Sequence, residues 1–261
     1  MKYNSTTNIL MLTFNILMFI ICTQELTGIV PTSSKRGNKM AINLKNTSDV
    51  HANGVKVLVY GHAGVGKTTL ATTLPNPVII SAEGGLLSIK DSNLPYLEVN
   101  NMESLQEAYT WLLTPEGRAF DSVVLDSLSE IGEVVLIHEK TQNKDGRAAY
   151  SEMATQMTAL IRAFRDLDSK NVLMTAKVVK SQDETGRMLY APSMPGAKLG
   201  QALPYFFDLV LALRVEKDAE GIAQRALMCD SDGLWMAKDR SGKLSPWEQP
   251  DLSAIIREIA R

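Results

Sequence analysis

Nine consecutive residues, Gly61-His62-Ala63-Gly64-Val65-Gly66-Lys67-Thr68-Thr69, constrain this chain more than any other stretch. Residues 55–60 before them are an apolar run that reads as a short buried strand, and Leu70-Ala71-Thr72-Thr73-Leu74 after them reads as the opening of a helix. Strand, glycine-rich turn, lysine, hydroxyl and helix form the context that a phosphate-binding loop requires. Gly61, Gly64 and Gly66 let the backbone turn tightly and aim its N–H groups inward. The helix behind the loop sets its positive end under the phosphates. Lys67 then reaches the β- and γ-phosphates, and the Thr68 hydroxyl sits on Mg²⁺. The stretch predicts a nucleoside triphosphate site.

The flanking elements extend the prediction. Pro75-Asn76-Pro77 breaks the helix, and Val78-Ile79-Ile80-Ser81 reads as a second buried strand running into Ala82-Glu83-Gly84-Gly85. Asn101 caps a helix with Met102, Leu105, Tyr109 and Leu112 on one face. Phe120-Asp121-Ser122-Val123-Val124-Leu125-Asp126 is a buried strand closed by an acid. Residues 146–169 form a long amphipathic helix whose Met153, Met157, Leu160, Phe164 and Leu167 stripe belongs to the core. Val172-Leu173-Met174-Thr175-Ala176 is a fourth strand, with a loop-rich region beyond it that turns at residues 183–186. Residues 207–214 and 223–229 read as a hairpin, and residues 253–260 as a terminal helix. Strands alternating with helices, then strands joined by turns, predict an α/β fold: a mostly parallel sheet flanked by helices, with a C-terminal antiparallel extension.

Residues 1–39 stand apart. Lys2 precedes an apolar stretch over residues 9–22 that is short for a membrane span and has the look of a signal-peptide core. ATP and Mg²⁺ chemistry has little use outside a cell, and Met40-Ala41-Ile42-Asn43-Leu44-Lys45 reads as a natural start just upstream of the first strand. A dispensable extension over residues 1–39, a catalytic domain over 40–261, a cytoplasmic location and no stable membrane association are therefore expected. The formal net charge of −2 leaves no overall basic footprint, so any nucleic-acid contact must be local. Two cysteines, Cys22 and Cys229, and three scattered histidines give neither a disulfide framework nor a zinc site.

Asp126 is the candidate second metal residue, opposite Thr68, and a helix N-cap is a sensible role for it as well. Ser127, not a second acid, follows it, so the base is sought elsewhere. Glu83, just past the second strand, could orient and deprotonate the water that attacks the γ-phosphate; Glu130 is the reserve. Asn143-Lys144-Asp145 is followed by Gly146, which misplaces the carboxylate of a guanine-reading motif, so adenine is the expected base.

Taken together, residues 61–69, Ser81-Ala82-Glu83-Gly84, Leu125-Asp126-Ser127 and residues 172–177 resemble the RecA-like ATPase core. Within it the likeness is to phage-encoded AAA-family or RecA-like single-strand annealing and recombination proteins, over residues 40–244. The resemblance implies Glu83 as catalytic base, Asp126 at the metal, and Thr175 or Lys177 as γ-phosphate sensor. Residues 237–243 resemble the Lys-x-Arg element of RecA-like hexamers, which implies that Lys238 and Arg240 reach the nucleotide of a neighbouring subunit in a ring or filament. It also places single-stranded DNA at two segments. Residues 138–150 offer Lys140, Lys144, Arg147 and Tyr150; residues 178–205, with the adjacent Lys177, offer Lys180, Arg187, Tyr190 and Lys198. The expected function is an ATPase acting on single-stranded DNA in phage recombination or replication. The competing expectation is a nucleotide-gated regulatory or assembly ATPase that contacts protein partners.

Overall fold

A computed structural model describes residues 54–217 and 220–260 of the chain. The extension expected over residues 1–39 and the start expected at Met40 lie outside them. The strands are β1 (Lys56–Gly61), β2 (Pro77–Ser81), β3 (Tyr96–Glu98), β4 (Ser122–Asp126), β5 (Asn171–Gln182), β6 (Met188–Pro192), β7 (Leu209–Lys217), β8 (Ala223–Met228), β9 (Lys238–Asp239) and β10 (Trp247–Glu248). The helices that matter below are α1 (Met102–Leu112), α2 (Leu128–Gln142), α3 (Gly146–Arg165), α4 (Ala197–Ala202) and α5 (Leu252–Ala260).

The sheet runs β10-β8-β7-β1-β5-β4-β2-β3, with β6 added to β5 and β9 to β7. From β3 to β7 the neighbours are parallel; β8, β9 and β10 are antiparallel additions. This is the α/β architecture expected, antiparallel extension included. Strands β1, β2 and β4 are buried at every position because both faces of the sheet are covered. Leu58 and Tyr60 turn to the side packed by α1, α2 and α3. Val57 and Val59 turn to the other, packed by the 3-10 helix Thr68–Thr73 and by Leu252, Ile255 and Ile259 of α5. The stripe from Met153 to Phe164 is core, as its spacing indicates.

Local chemistry sets the helix ends. Asn101 and Ser104 form a reciprocal capping box at α1, and Ser127 and Asp145 cap α2 and α3 through their side chains. The strand expected to end at Ala176 instead continues to Gln182, pairing with β6 from Val178↔Pro192 to Gln182↔Met188. Its outer half is exposed, so it carries no alternating apolar signal; cross-strand hydrogen bonds hold it, not burial. What reads as loop in sequence is thus a projecting hairpin followed by α4.

Candidate functional site

The carboxyl ends of β1, β5, β4 and β2 converge on a cavity of about 800 Å³. Gly61, His62, Ala63, Gly64, Gly66, Lys67, Thr68 and Thr69 line it, together with Glu83, Asp126, Lys177 and Arg225. Val65 is instead buried beneath the loop, where it joins the α5-side core. Gly64 and Gly66 have φ of 74° and 104°, a left-handed backbone that disfavours other residues. Gly61 is needed for another reason: a Cβ there would lie 2.6 Å from the Leu213 carbonyl of β7. It is a packing glycine at the root of the loop, not one of its turning points.

Lys67 folds over the loop and donates to the Gly61 and His62 carbonyls at 3.0 and 2.9 Å. Burial lowers its pKa, and the charges of Glu83 and Asp126 work against that shift. Among the described residues its ammonium is held by these two carbonyls, which phosphate oxygens can replace.

Strand register assembles the acidic corner. Leu125↔Met174 pairing sets Asp126 beside Thr175, and Ser81↔Asp126 pairing brings the end of β2, and so Glu83, next to it. Asp126 is 2% exposed. Its Oδ2 accepts the Thr68 hydroxyl at 2.6 Å and its Oδ1 accepts the Thr175 hydroxyl at 2.5 Å. Thr68 spends its one proton on Asp126, which leaves its oxygen lone pairs for a cation. Among the described residues no cluster of three His, Cys, Asp or Glu side chains offers a cation site of protein ligands alone. A hydroxyl backed by one buried carboxylate suits Mg²⁺, which retains waters and takes its other ligands from substrate phosphates. The donor set fits the metal expected of it.

Of the two sensor candidates, Thr175 is fully buried behind Asp126, whereas Lys177 borders the cavity. The Lys177 ammonium pairs with Glu130 at 2.6 Å, and this hydrogen bond is the chief reason its pKa is raised. Glu83 accepts the Ser127 hydroxyl at 2.5 Å, while the same hydroxyl accepts the Glu130 amide at 3.4 Å. Ser127 therefore both caps α2 and holds Glu83. No motif in the sequence assigns Ser127 this double role; its place directly after a strand-ending Asp is the available signal.

Lys238 and Arg240 lie elsewhere. They sit at the amino end of β7, where Val210 pairs with Lys238, across the sheet from the loop. Lys238 donates to the Pro204 carbonyl at 2.8 Å and Arg240 pairs with Asp208 at 2.9 Å. Within one chain they do not join the cavity. Arg225, which no motif marks, does: its Nε donates to the Val65 carbonyl at 2.8 Å. His62 also stands edge-on to Trp235 and Tyr190, with ring centroids at 5.8 and 6.4 Å.

The two segments expected to carry nucleic acid meet. Gly196, in the connection from β6 to α4, packs beside Tyr150 and Met153 of α3, and Pro195 rests on Gly132 of α2. Lys140 stands over the Tyr150 ring at 5.5 Å and Lys180 over Tyr190 at 5.9 Å. Tyr190 is stacked on Trp235 at 4.3 Å, so one of its faces is already taken. Arg187 is held by Asp183 at 3.2 Å.

No helix among the described residues is long and apolar enough to cross a membrane. No curated protein matches the sequence well enough to be named a relative. Among solved structures, a KaiC-like protein from the hyperthermophilic archaeon Pyrococcus horikoshii OT3 is similar at 14% identity, over 67% of this chain and 78% of that one, with a TM-score of 0.38. The AAA domain model matches residues 53–241, from the threshold of β1 to just past Arg240. With its loop, buried acid and parallel sheet on that matched span, the chain belongs to the AAA domain family of phosphate-loop ATPases.

Proposed function

We propose that this protein is a Mg²⁺-dependent ATPase whose nucleotide cycle drives action on single-stranded DNA, of the kind used in phage recombination or replication. The observation that carries the DNA part is the continuity of β5. Lys177 and Val178 line the nucleotide cavity, and the same strand runs on to Gln182, carrying Lys180 out into the exposed hairpin with β6. The return from that hairpin is tied back to the site. Ser193 donates its amide to the Lys177 carbonyl and accepts the Ser129 hydroxyl, each at 2.7 Å. A change at the γ-phosphate end of the cavity thus has a short, hydrogen-bonded route to Lys180 and, through Gly196, to the surface of Tyr150. The sequence likeness to phage annealing and recombination proteins supplies the substrate class.

In this reading Lys67 leaves the Gly61 and His62 carbonyls for the polyphosphate. Thr68 and Asp126 would hold Mg²⁺, which would neutralise phosphate charge. Glu83, with one carboxylate oxygen fixed by Ser127, presents the other to the attacking water and takes its proton. Lys238 and Arg240 would act on a neighbouring subunit's nucleotide in a ring or filament, which makes turnover depend on assembly.

The test is ATP affinity and turnover of the wild-type protein and Lys67→Ala, with and without single-stranded oligonucleotide, plus gel shifts across a salt series. Loss of ATP binding in Lys67→Ala and DNA-stimulated turnover support the proposal. Turnover indifferent to DNA, with no salt-sensitive shift, would replace the DNA role by that of a nucleotide-gated regulatory or assembly ATPase.

A further inference from the structure

We infer that Arg225 is a phosphate ligand supplied by the chain's own β8, gripping the α-phosphate end of the bound nucleotide. The inference rests on the nucleotide reading above and adds a residue that lies outside the loop and outside the elements resembling RecA-like motifs.

Three observations carry it. Arg225 lines the same cavity as Lys67, Thr68 and Thr69. Its Nε is spent on the Val65 carbonyl at 2.8 Å, which anchors the planar guanidinium against the loop and leaves its two terminal nitrogens, with four N–H donors, to other partners. And among the described residues no carboxylate lies within ion-pairing distance of it, whereas Lys177, the other cation beside the loop, is neutralised by Glu130. A fixed, unneutralised guanidinium at the wall of a phosphate cavity is suited to bidentate phosphate binding.

Sheet order says which phosphate. Asp126, Glu83 and Lys177 come from β4, the end of β2 and β5, on one side of β1; Arg225 comes from β8, on the other side, with only β7 between. A Cβ at Gly66 would lie 3.4 Å from the Arg225 Nε and 3.9 Å from the Thr69 Oγ1, so the arginine stands at the Gly66–Thr69 end of the cradle. The amides there wrap the α- and β-phosphates, while the lysine and metal corner take the γ-phosphate. Arg225 accordingly contributes equally to ATP and ADP, a contact made as fully in the ground state as in the transition state.

The deciding variant is Arg225→Gln. The glutamine Nε2 lies as many bonds from Cα as the arginine Nε, so the bond to Val65 is kept and only the charged terminus is removed. ATP and ADP affinities of the full chain are measured by titration calorimetry with Mg²⁺, alongside Arg225→Lys and Lys67→Ala, with thermal melts to check folding. Arg225→Gln is expected to weaken ATP and ADP by the same factor, on the order of tenfold to a hundredfold for a charge-assisted contact. KM should rise by more than kcat falls, and Arg225→Lys, which keeps the charge but not the two-pronged contact, should recover only part of the loss. Wild-type affinity in Arg225→Gln overturns the inference and leaves Arg225 as a clip on the loop. A loss confined to ATP overturns the α-phosphate assignment. If Arg225→Gln fails to fold, Arg225→Met decides, since wild-type affinity for both nucleotides in that variant also overturns the inference. Failure of the wild-type protein itself to bind ATP would instead remove the underlying nucleotide reading.

Discussion

Replacing Thr175 by Val tests whether the acidic corner is built as described. Thr175 is fully buried on β5, and its hydroxyl is one of the two donors that fix the Asp126 carboxylate. Valine keeps the branched shape and swaps only the hydroxyl for a methyl, so no cavity opens. What is lost is a hydrogen bond to a buried charged acceptor, which contributes about 1.5–3 kcal/mol. For a domain of this size 1 kcal/mol corresponds to roughly 2–4 °C, so a loss near 2 kcal/mol lowers Tm by about 4–8 °C. Thr175→Ser keeps the hydroxyl and loses one methyl, about 1 kcal/mol of burial. The sharper assay is a double-mutant cycle by urea unfolding with Asp126→Asn: once the charge is gone, Thr175→Val should cost much less than in the wild-type background. If Asp126 holds the metal as proposed, Thr175→Val should also shrink the Tm rise produced by Mg²⁺ and ATP, because the carboxylate is loosened. Equal cost of Thr175→Val in both backgrounds would refute the claim that this hydroxyl positions the carboxylate.

Glu83→Gln keeps an acceptor for Ser127 but cannot take a proton; hydrolysis should fall by about 10²–10⁴-fold with ATP binding retained, and unchanged single-turnover rates would disqualify Glu83 as the base. Arg240→Ala breaks a half-exposed ion pair with Asp208, so stability should change by no more than about 1 kcal/mol, while turnover in the assembled protein drops and ATP affinity holds; steady turnover would exclude a role in trans. Burial pushes the Lys56 ammonium down to about 8 from an ordinary 10.5. Between those two values the unfolded chain binds the extra proton, so Lys56's contribution to stability increases as pH rises through that window. Urea unfolding of wild type and Lys56→Met should show the difference growing in the wild type's favour from pH 8 to 10.5, and parallel profiles would show that Lys56 keeps its proton equally in both states.

The phosphate-loop cavity was legible in the sequence because its elements are local. Strand, glycines, lysine, hydroxyl and helix follow one another within residues 55–74, and each is dictated by the φ angles or donors a phosphate requires. The strand-ending Asp126 and the glutamate after β2 were legible too, since apolar runs closed by an acid mark strand tips. What joins Thr175 to Asp126, Ser127 to Glu83 and Arg225 to the loop is strand register and order, set by sheet packing among residues 44 to 160 positions apart. The β5–β6 hairpin escaped for a related reason: cross-strand hydrogen bonds hold its exposed half, and they leave no pattern of apolar residues behind. Gly61 belongs with them, since only the Leu213 carbonyl beside it explains why the loop's first residue must lack a side chain.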